Sequence, residues 1–459
     1  MKSKASIPVA RGRLPLVGHL LPLVRDPLGF LSSLPAQGEL VRIELGPLDT
    51  ILVCDRELVQ HVLRHDRIFD KAGGTLFEQG VRALGDGLVT CPHSRHRRQR
   101  RMLQPAFHKS RLPAYAESIS AQIDAITSAW QPGQDLDILM ETRKFAANAT
   151  ATVVFSGAVP ESTAAQTIQD IDAIFAGVLR RSMVPQLLTR LPTPGNRAYQ
   201  RSIARMRSTL GDIVAARRAE DVDHGDLLSA LLDARDTDGK GLSDTEVCDQ
   251  MVTFLNAGTH TTADALTWAL YELDRHPDIT RRLHAEVDGV LAGRAATYDD
   301  LPHLPLTGHF ITETLRLRGP AWLLTRHVTE DTELGGYRLP KGTVVAYSSY
   351  LVGHAPDVYA EPDRFDPDRW DTTTPPPQSA LIPFGGGPRK CIGDLLALDE
   401  AAIALATIAA RWRLRALPGN DMRPALAVTL HPRRLHMRAE IRTPAPSPTY
   451  ATKGPASHA

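Results

Sequence analysis

Cysteine is scarce in this chain: 459 residues contain four, Cys54, Cys91, Cys248 and Cys391, and no two form a C-x-x-C pair. That spacing excludes a zinc ribbon and a dithiol redox centre, and at this length a disulfide scaffold; reduced thiols fit a cytosolic protein. Aromatic residues make up 5% of the chain, too few for a binder that works by stacking on bases. An excess of either charge is also missing, since 53 Lys and Arg face 52 Asp and Glu for a net charge of +1. A nucleic-acid partner is therefore not expected. Long hydrophobic runs are absent as well. The basic, then apolar, opening stretch is cut by Pro15, His19, Pro22, Arg25 and Asp26. It falls short of the ~20 apolar residues that cross a bilayer, and no small-residue cleavage site follows. A cytoplasmic protein with no membrane anchor and no processed leader is expected.

What remains is ordinary globular material, 42% hydrophobic and 23% charged, enough for one large domain with a deep core. Residues 1–35 read as an extended Pro-rich lead. Two short strands, Glu39–Leu45 and Thr50–Cys54, are joined by a turn at Gly46 and Pro47 as a hairpin. From about Asp55 to Arg318 the pattern is mostly helical, with breaks at Pro132–Gly133, Pro192–Gly195 and Asp236–Gly241. Thr332–Tyr350 returns to strands, and Ala355–Pro377, dense in Pro and Asp, reads as irregular. A last helix spans about Ile392–Arg413, followed by a strand over Ala425–Leu430. Residues 443–459, rich in Pro, Ser, Thr and Ala, read as a disordered tail behind a domain of residues 1–442. No internal repeat is visible.

One helix stands out. Ser243-Asp-Thr-Glu246 forms a capping box, and no proline follows until Pro277. That permits a helix of ~50 Å at 1.5 Å per residue, long enough to cross a domain. Val247, Met251, Phe254, Leu255, Gly258, Thr262, Ala265 and Ala269 recur at three- and four-residue steps, the mark of a core helix. Midway, Asn256-Ala-Gly-Thr-His-Thr-Thr262 inserts a polar patch with a glycine, which points to something approaching the backbone there.

The decisive segment is Phe384-Gly-Gly-Gly-Pro-Arg-Lys-Cys-Ile-Gly393. A lone buried cysteine is ordinarily inert. Here glycines allow amide N–H groups to point at the sulfur, and the helix that follows Cys391 favours an anionic thiolate at its N-terminus. Both features suit a thiolate that binds a metal centre. A phosphate-binding loop competes for the glycines, but no Gly-Lys-Ser/Thr follows.

This segment resembles the haem-binding signature F-x-x-G-x-R-x-C-x-G of the cytochrome P-450 family at every specified position, a match that chance supplies about once in ten thousand such chains. The resemblance runs over roughly residues 10–440. It implies a mainly α (α+β) fold, a single large helix-rich domain with a small β-rich subdomain. It implies heme b (iron protoporphyrin IX) with Cys391 as axial ligand. Phe384, Gly385 and Gly393 then shape the sulfur's loop, and Arg389 contacts a haem propionate. His96 and Arg100, one helical turn apart, and Arg326 are the implied further propionate donors. In the same helix Arg97, Arg98 and Arg101 are expected to face outward, where they can dock an acidic ferredoxin.

The family's E-x-x-R motif occurs four times, from Glu39, Glu272, Glu313 and Glu361, and only Glu313–Arg316 sits on a predicted helix about 75 residues before the cysteine. Arg369, in Phe365-Asp-Pro-Asp-Arg-Trp370, completes the implied structural triad. Over the haem, the family places a Gly, an acid and a Thr on the long helix. Ala257, Gly258 and Thr261 fit that pattern, but the acidic position holds His260. Imidazole can shuttle protons near neutral pH, and Asp264 one turn on is the expected group to orient it.

By resemblance the substrate pocket draws on Phe77, Phe175, Val184, Phe254, Trp322, Leu323 and Leu324, an apolar set suited to a lipophilic ligand. The phrasing of Leu14-Pro-Leu-Val-Gly-His19 and the Arg-rich helix is similar to actinobacterial terpene oxidases, which implies a terpenoid substrate. The implied activity is monooxygenation with O2. Electrons come from a separate ferredoxin and an NAD(P)H ferredoxin reductase, because no flavin or iron–sulfur module is visible. A monomer is expected. A haem-thiolate peroxygenase or isomerase and a non-catalytic haem sensor are the competing readings, separated by turnover.

Overall fold

A computed structural model describes residues 2–45, 48–156, 161–183, 186–220, 222–425 and 427–443, some of them inside helices by backbone alone. The expected lead opens on a two-residue strand, Lys2–Ser3, paired with Tyr337 and Arg338, and its second half forms two short helices, Leu20–Arg25 and Pro27–Ser32. Pro27 sits at the first helical position, where its missing N–H is no loss, and the Asp26 side chain caps the amide of Gly29.

Strands β1 (Leu40–Leu45) and β2 (Leu48–Val53) pair antiparallel; the turn expected at Gly46 and Pro47 lies outside the described residues. Helix α1 (Arg56–Arg64) and the short strand β3 (Phe69–Asp70) follow. Most of the helical mass comes next: α2 (Gly74–Leu84), α3 (His93–Leu103), α4 (Leu112–Ser128), α5 (Ile138–Phe155), α6 (Glu161–Met183), α7 (Pro194–Glu220), α8 (Asp244–Arg275) and α9 (Pro305–Arg318). Strands β4 (Leu324–Val328) and β5 (Val344–Tyr347) return to the first sheet, whose order is β1-β2-β5-β4-β3. The β2–β5 pair is parallel and the others antiparallel. Both faces of this sheet are covered. Ile51 and Val53 enter one apolar cluster with Val345 and Tyr347, while Leu52 enters another with Val41 and Ala346, as a two-residue period requires.

Helix α10 (Asp394–Arg411) runs into β6 (Trp412–Ala416), which pairs with β7 (His436–Ile441). Among the described residues of Ala425–Leu430 no strand forms; strands flank the stretch at Asp421–Pro424 and Pro432–Arg434. The backbone there is held by other partners. The Leu430 carbonyl accepts the Trp268 indole N–H at 2.9 Å, and the Leu430 amide donates to Pro320. The expected tail, residues 444–459, lies outside the described residues.

The capping box is formed: Ser243 accepts from the Glu246 amide and Glu246 accepts from the Ser243 amide. Helix α8 is 32 residues long and nearly all of it is buried, against α5, α7, α9 and α10. Its midpoint glycine has a definite reason. A Cβ on Gly258 would lie 2.6 Å from Thr150 Oγ1, so the closest approach is made by α5. Among the described residues, no helix is long and apolar enough to cross a membrane.

Candidate functional site

The loop before α10 is shaped by two glycines in left-handed conformations, Gly385 at φ +69° and Gly387 at φ +63°. A Cβ on Gly387 would fall 2.1 Å from the Leu63 carbonyl of α1, so only glycine lets the loop lie against that helix. The Cys391 amide donates to the Phe384 carbonyl at 2.9 Å, closing the loop. Cys391 is ringed by protein yet keeps open surface, and so faces an interior cleft. Burial pushes its thiol up, while the Gly393 amide, Arg100 and Lys71 pull it down. Those are the groups that stabilise a thiolate.

A ring of cations surrounds the same cleft. His96 is buried, and burial together with Arg389, Lys71 and Arg100 depresses it to about 3, so it is neutral at working pH. Arg100 donates to the Lys390 carbonyl and, at 3.1 Å, to Gln104 Oε1. Arg326 is buried and donates to the Tyr347 hydroxyl at 3.0 Å and to the Thr325 carbonyl at 2.8 Å. Arg389, the expected propionate contact, pairs with Asp66 at 3.2 Å and Asp70 at 2.8 Å and donates to the Cys91 carbonyl. With both carboxylates on it, Arg389 ties the cysteine loop to β3.

Sequence reasoning missed Lys71. It is enclosed, with no ion pair among the described residues, and burial followed by Arg326 and Arg389 lowers it to about 7. Its signal was faint, a lysine directly after β3. Partly buried Lys71 and buried Arg326 thus bring two positive charges together with no carboxylate paired to either among the described residues, an arrangement that an anion would relieve. The acid groups of a haem answer that need, beside a cysteine whose thiol burial pushes up and a bound metal would draw down. The donor set fits the group.

The outward arginines of α3 divide differently than expected. Arg97 and Arg101 are exposed. Arg98 is held by Asp236 at 2.8 Å and Glu246 at 3.0 Å, so it braces α3 against α8 and is not free for a partner.

Beneath the loop, Glu313 and Arg316 are fully buried and doubly paired, at 2.8 and 2.7 Å. Arg369 reaches the same carboxylate at 3.0 Å, joined by the Trp370 indole N–H and the Asp366 amide. Arg316 also donates to the carbonyls of Gly353, Pro362 and Arg364. By contrast Glu361–Arg364, the same four-residue pattern, is an exposed pair.

On α8, Ala257 and Thr261 keep open surface, whereas His260 and Asp264 are buried. The Thr261 hydroxyl donates to the Ala257 carbonyl at 2.6 Å. His260 Nε2 lies 3.4 Å from Asp172 Oδ1 on α6. The expected partner Asp264 does not take that place. It is enclosed near Thr429, and burial raises its carboxyl to about 7 against the opposing pull of Thr429 and Arg143. Burial lowers His260 to about 4, with Arg143 and His431 adding to it. Burial raises Asp172, against Arg143.

Glu400 of α10 was also missed. It accepts the Thr262 hydroxyl at 3.3 Å and is fully enclosed, which raises its carboxyl to about 8. A carboxyl whose folded pKa lies above its unfolded value binds more protons when folded, so stability falls as pH rises between the two. Wild-type stability is therefore expected to decline from about pH 4.5 to about pH 8 through this group. Glu400→Gln should flatten that decline by roughly 3 kcal/mol at alkaline pH. Urea melts across pH check it, and parallel curves for both proteins would refute it.

The expected pocket residues separate. Phe77 is partly buried on α2, and Leu323 and Leu324 are partly buried at the edge of the sheet clusters. Phe254 turns into the core, stacked near Phe107 with ring centroids 5.2 Å apart. Trp322 is buried between sheet and N-terminal helices, its indole N–H on the Ala427 carbonyl. An aromatic side chain with an apolar cluster behind it packs there. Val184 and the side chain of Phe175 lie outside the described residues.

A glycine-shaped cysteine loop, a long buried helix with a polar patch midway and a buried glutamate–arginine network together point to a haem-thiolate protein. The chain matches the cytochrome P450 family model over residues 8–437 and belongs to that family. It is a haem-iron monooxygenase, an oxidoreductase. It is 44% identical to the pentalenene oxygenase of Streptomyces avermitilis, covering 95% of this chain and 97% of that one. It is 43% identical to the cyclooctatin synthase of Streptomyces melanosporofaciens, covering 95% of each. Its fold is similar to that in the crystal structure of the cytochrome P450DA heme domain, with a TM-score of 0.86 at 27% identity over 95% of this chain and 98% of that one.

Proposed function

We propose that this protein oxygenates a terpenoid, with heme b held by Cys391 and electrons drawn from a ferredoxin and its NAD(P)H-dependent reductase. The observation that carries the substrate class is the near full-length similarity to two relatives named for terpene chemistry, pentalenene oxygenase and cyclooctatin synthase. Lys71, Arg326, His96 and Arg100 hold the haem's acid groups, and Cys391 supplies the thiolate. When bound, a thiolate-ligated haem supplies the reductive cleavage of O2.

The chain's own residues supply the rest. Exposed Arg97 and Arg101 beside the cysteine loop offer an acidic ferredoxin a docking point. Asp172, half-exposed on α6, takes protons from solvent at Oδ1 and hands them to His260 Nε2. His260 carries them along α8 toward Thr261 Oγ1, in the place where the family pattern has an acid. Burial raises the Asp172 carboxyl and lowers His260; Arg143 offsets part of the first and adds to the second. A carboxyl and an imidazole at that distance can pass a proton between them.

The purified holoenzyme, reduced under carbon monoxide and titrated with a panel of terpenes, tests the substrate. A spin shift with one terpene, and its oxygenated product with a ferredoxin system, are expected. A thiolate spectrum with no response to any terpene would discard the substrate class. His260→Ala should keep the spectrum while losing about tenfold or more in product formed per NAD(P)H consumed. Fully coupled turnover in that variant would remove His260 from proton delivery.

A further inference from the structure

Away from the cysteine, an open cleft of about 940 Å³ lies where α2, α6, the short helix Gln186–Arg190 and α7 meet. Five arginines line it: Arg82, Arg181, Arg190, Arg197 and Arg201. No carboxylate does among the described residues. Arginines elsewhere on α7 behave differently. Arg205, Arg207, Arg217 and Arg218 each pair with an aspartate, Asp170, Asp249, Asp226 and Asp244 in turn. Among the described residues Arg197 and Arg201 have no ion pair, and Arg201 donates only to the Arg197 carbonyl.

One of the five is built in. Arg181 is 3% exposed, sits 4.1 Å over the Tyr199 ring, and donates to the Thr189 carbonyl and Asn196 Oδ1. Packing and hydrogen bonds fix this guanidinium in place, whereas a solvated surface arginine has no such frame. Two further wall residues carry buried groups without a hydrogen-bond partner, the Tyr199 hydroxyl and the Gln79 amide nitrogen. Both can donate. A wall of fixed and mobile guanidinium groups, backed by orphaned donors, is repulsive in itself and is relieved by an anion of more than one charge.

We propose that this cleft is a binding site for a diphosphate group. Guanidinium forks match phosphoryl oxygens two at a time, and several forks around one concavity suit adjoining phosphoryl groups better than a single carboxylate. Leu191, Pro192 and Ile203 form an apolar wall beside the arginines, so the group can arrive free or as the head of an apolar ester. Bound there, it ties four helices together.

Calorimetric titration of the holoenzyme at low ionic strength tests this, with inorganic diphosphate, inorganic phosphate and dodecyl diphosphate as probes. Inorganic diphosphate is expected to bind at least about tenfold more tightly than phosphate. The exposed double variant Arg190→Gln/Arg197→Gln should weaken it by about tenfold or more, and Arg281→Gln, on a different face, should not. Both variants should keep the reduced carbon monoxide spectrum, which separates loss of binding from loss of fold. Dodecyl diphosphate binding more tightly than the inorganic ion assigns the site to an ester; equal binding assigns it to the free ion. No heat with either diphosphate, or equal affinity in wild type and the double variant, overturns the proposal.

Discussion

Replacing Cys391 by alanine is expected to eliminate the strongly red-shifted band of the reduced carbon monoxide complex and to lower oxygenation by more than about a hundredfold. No other thiol is placed to take over. Cys91 is completely buried, its thiol pushed up to about 11 by burial and turned toward the Leu88 carbonyl. Cys54 is pushed up to about 12 by burial, with Asp55 adding to it. Cys248 is packed in the core cluster of α7 and α8. Only Cys391 combines open surface in the cleft with the Gly393 amide and two nearby cations. Absorption spectroscopy of the purified variant decides the matter. Survival of the red-shifted band would mean that another residue ligates the iron.

Glu313→Ala should destabilise the fold by about 3–5 kcal/mol, the penalty for leaving buried charge without its partner. The Glu313 carboxylate receives Arg316, Arg369, the Trp370 indole and the Asp366 amide, and it is fully enclosed. Its removal leaves two guanidinium groups facing each other in a dry core. Against a typical total stability of roughly 5–15 kcal/mol, little folded haem protein should accumulate. Glu361→Ala, which breaks the same sequence pattern at the surface, should change stability by less than about 1 kcal/mol. Urea unfolding followed by circular dichroism compares the two. Equal midpoints would show that the buried network adds nothing to stability.

Legibility differed by the range of the forces involved. The cysteine loop could be read because its glycines serve a local backbone geometry, and local geometry leaves a local pattern. The capping box of α8 is of the same kind. Glu313 was readable only through resemblance, since four identical spacings occur and burial alone separates them. Lys71 and Glu400 gave almost no sign. A buried lysine and a surface lysine are written alike, and what distinguishes them is supplied by β4, α10 and the cysteine loop, far away in the chain. Asp172 went unread for the same reason: helical spacing offers Asp264 as a neighbour on α8, whereas the carboxylate 3.4 Å from His260 Nε2 comes from α6. Phe254 and Trp322 were placed in a pocket on chemistry that a core shares. The strand expected at Ala425–Leu430 had a fair composition, but Trp268 and Pro320 took its hydrogen bonds.

The meeting of Gly258 with Thr150 sets a dimension of the enzyme from an unexpected side. Helix α8 is tied on one side to α10, the helix that follows Cys391, through Thr262 and Glu400, and on the other it beds into α5. A hydrogen atom at Gly258 and a threonine at 150 fix the depth of that bed. Bulk added at Gly258, or removed from Thr150, acts as a shim behind the helix. The spacing of the helices around the cysteine's own helix is thus written partly in a contact between two other elements, where a change of one methyl group can adjust it.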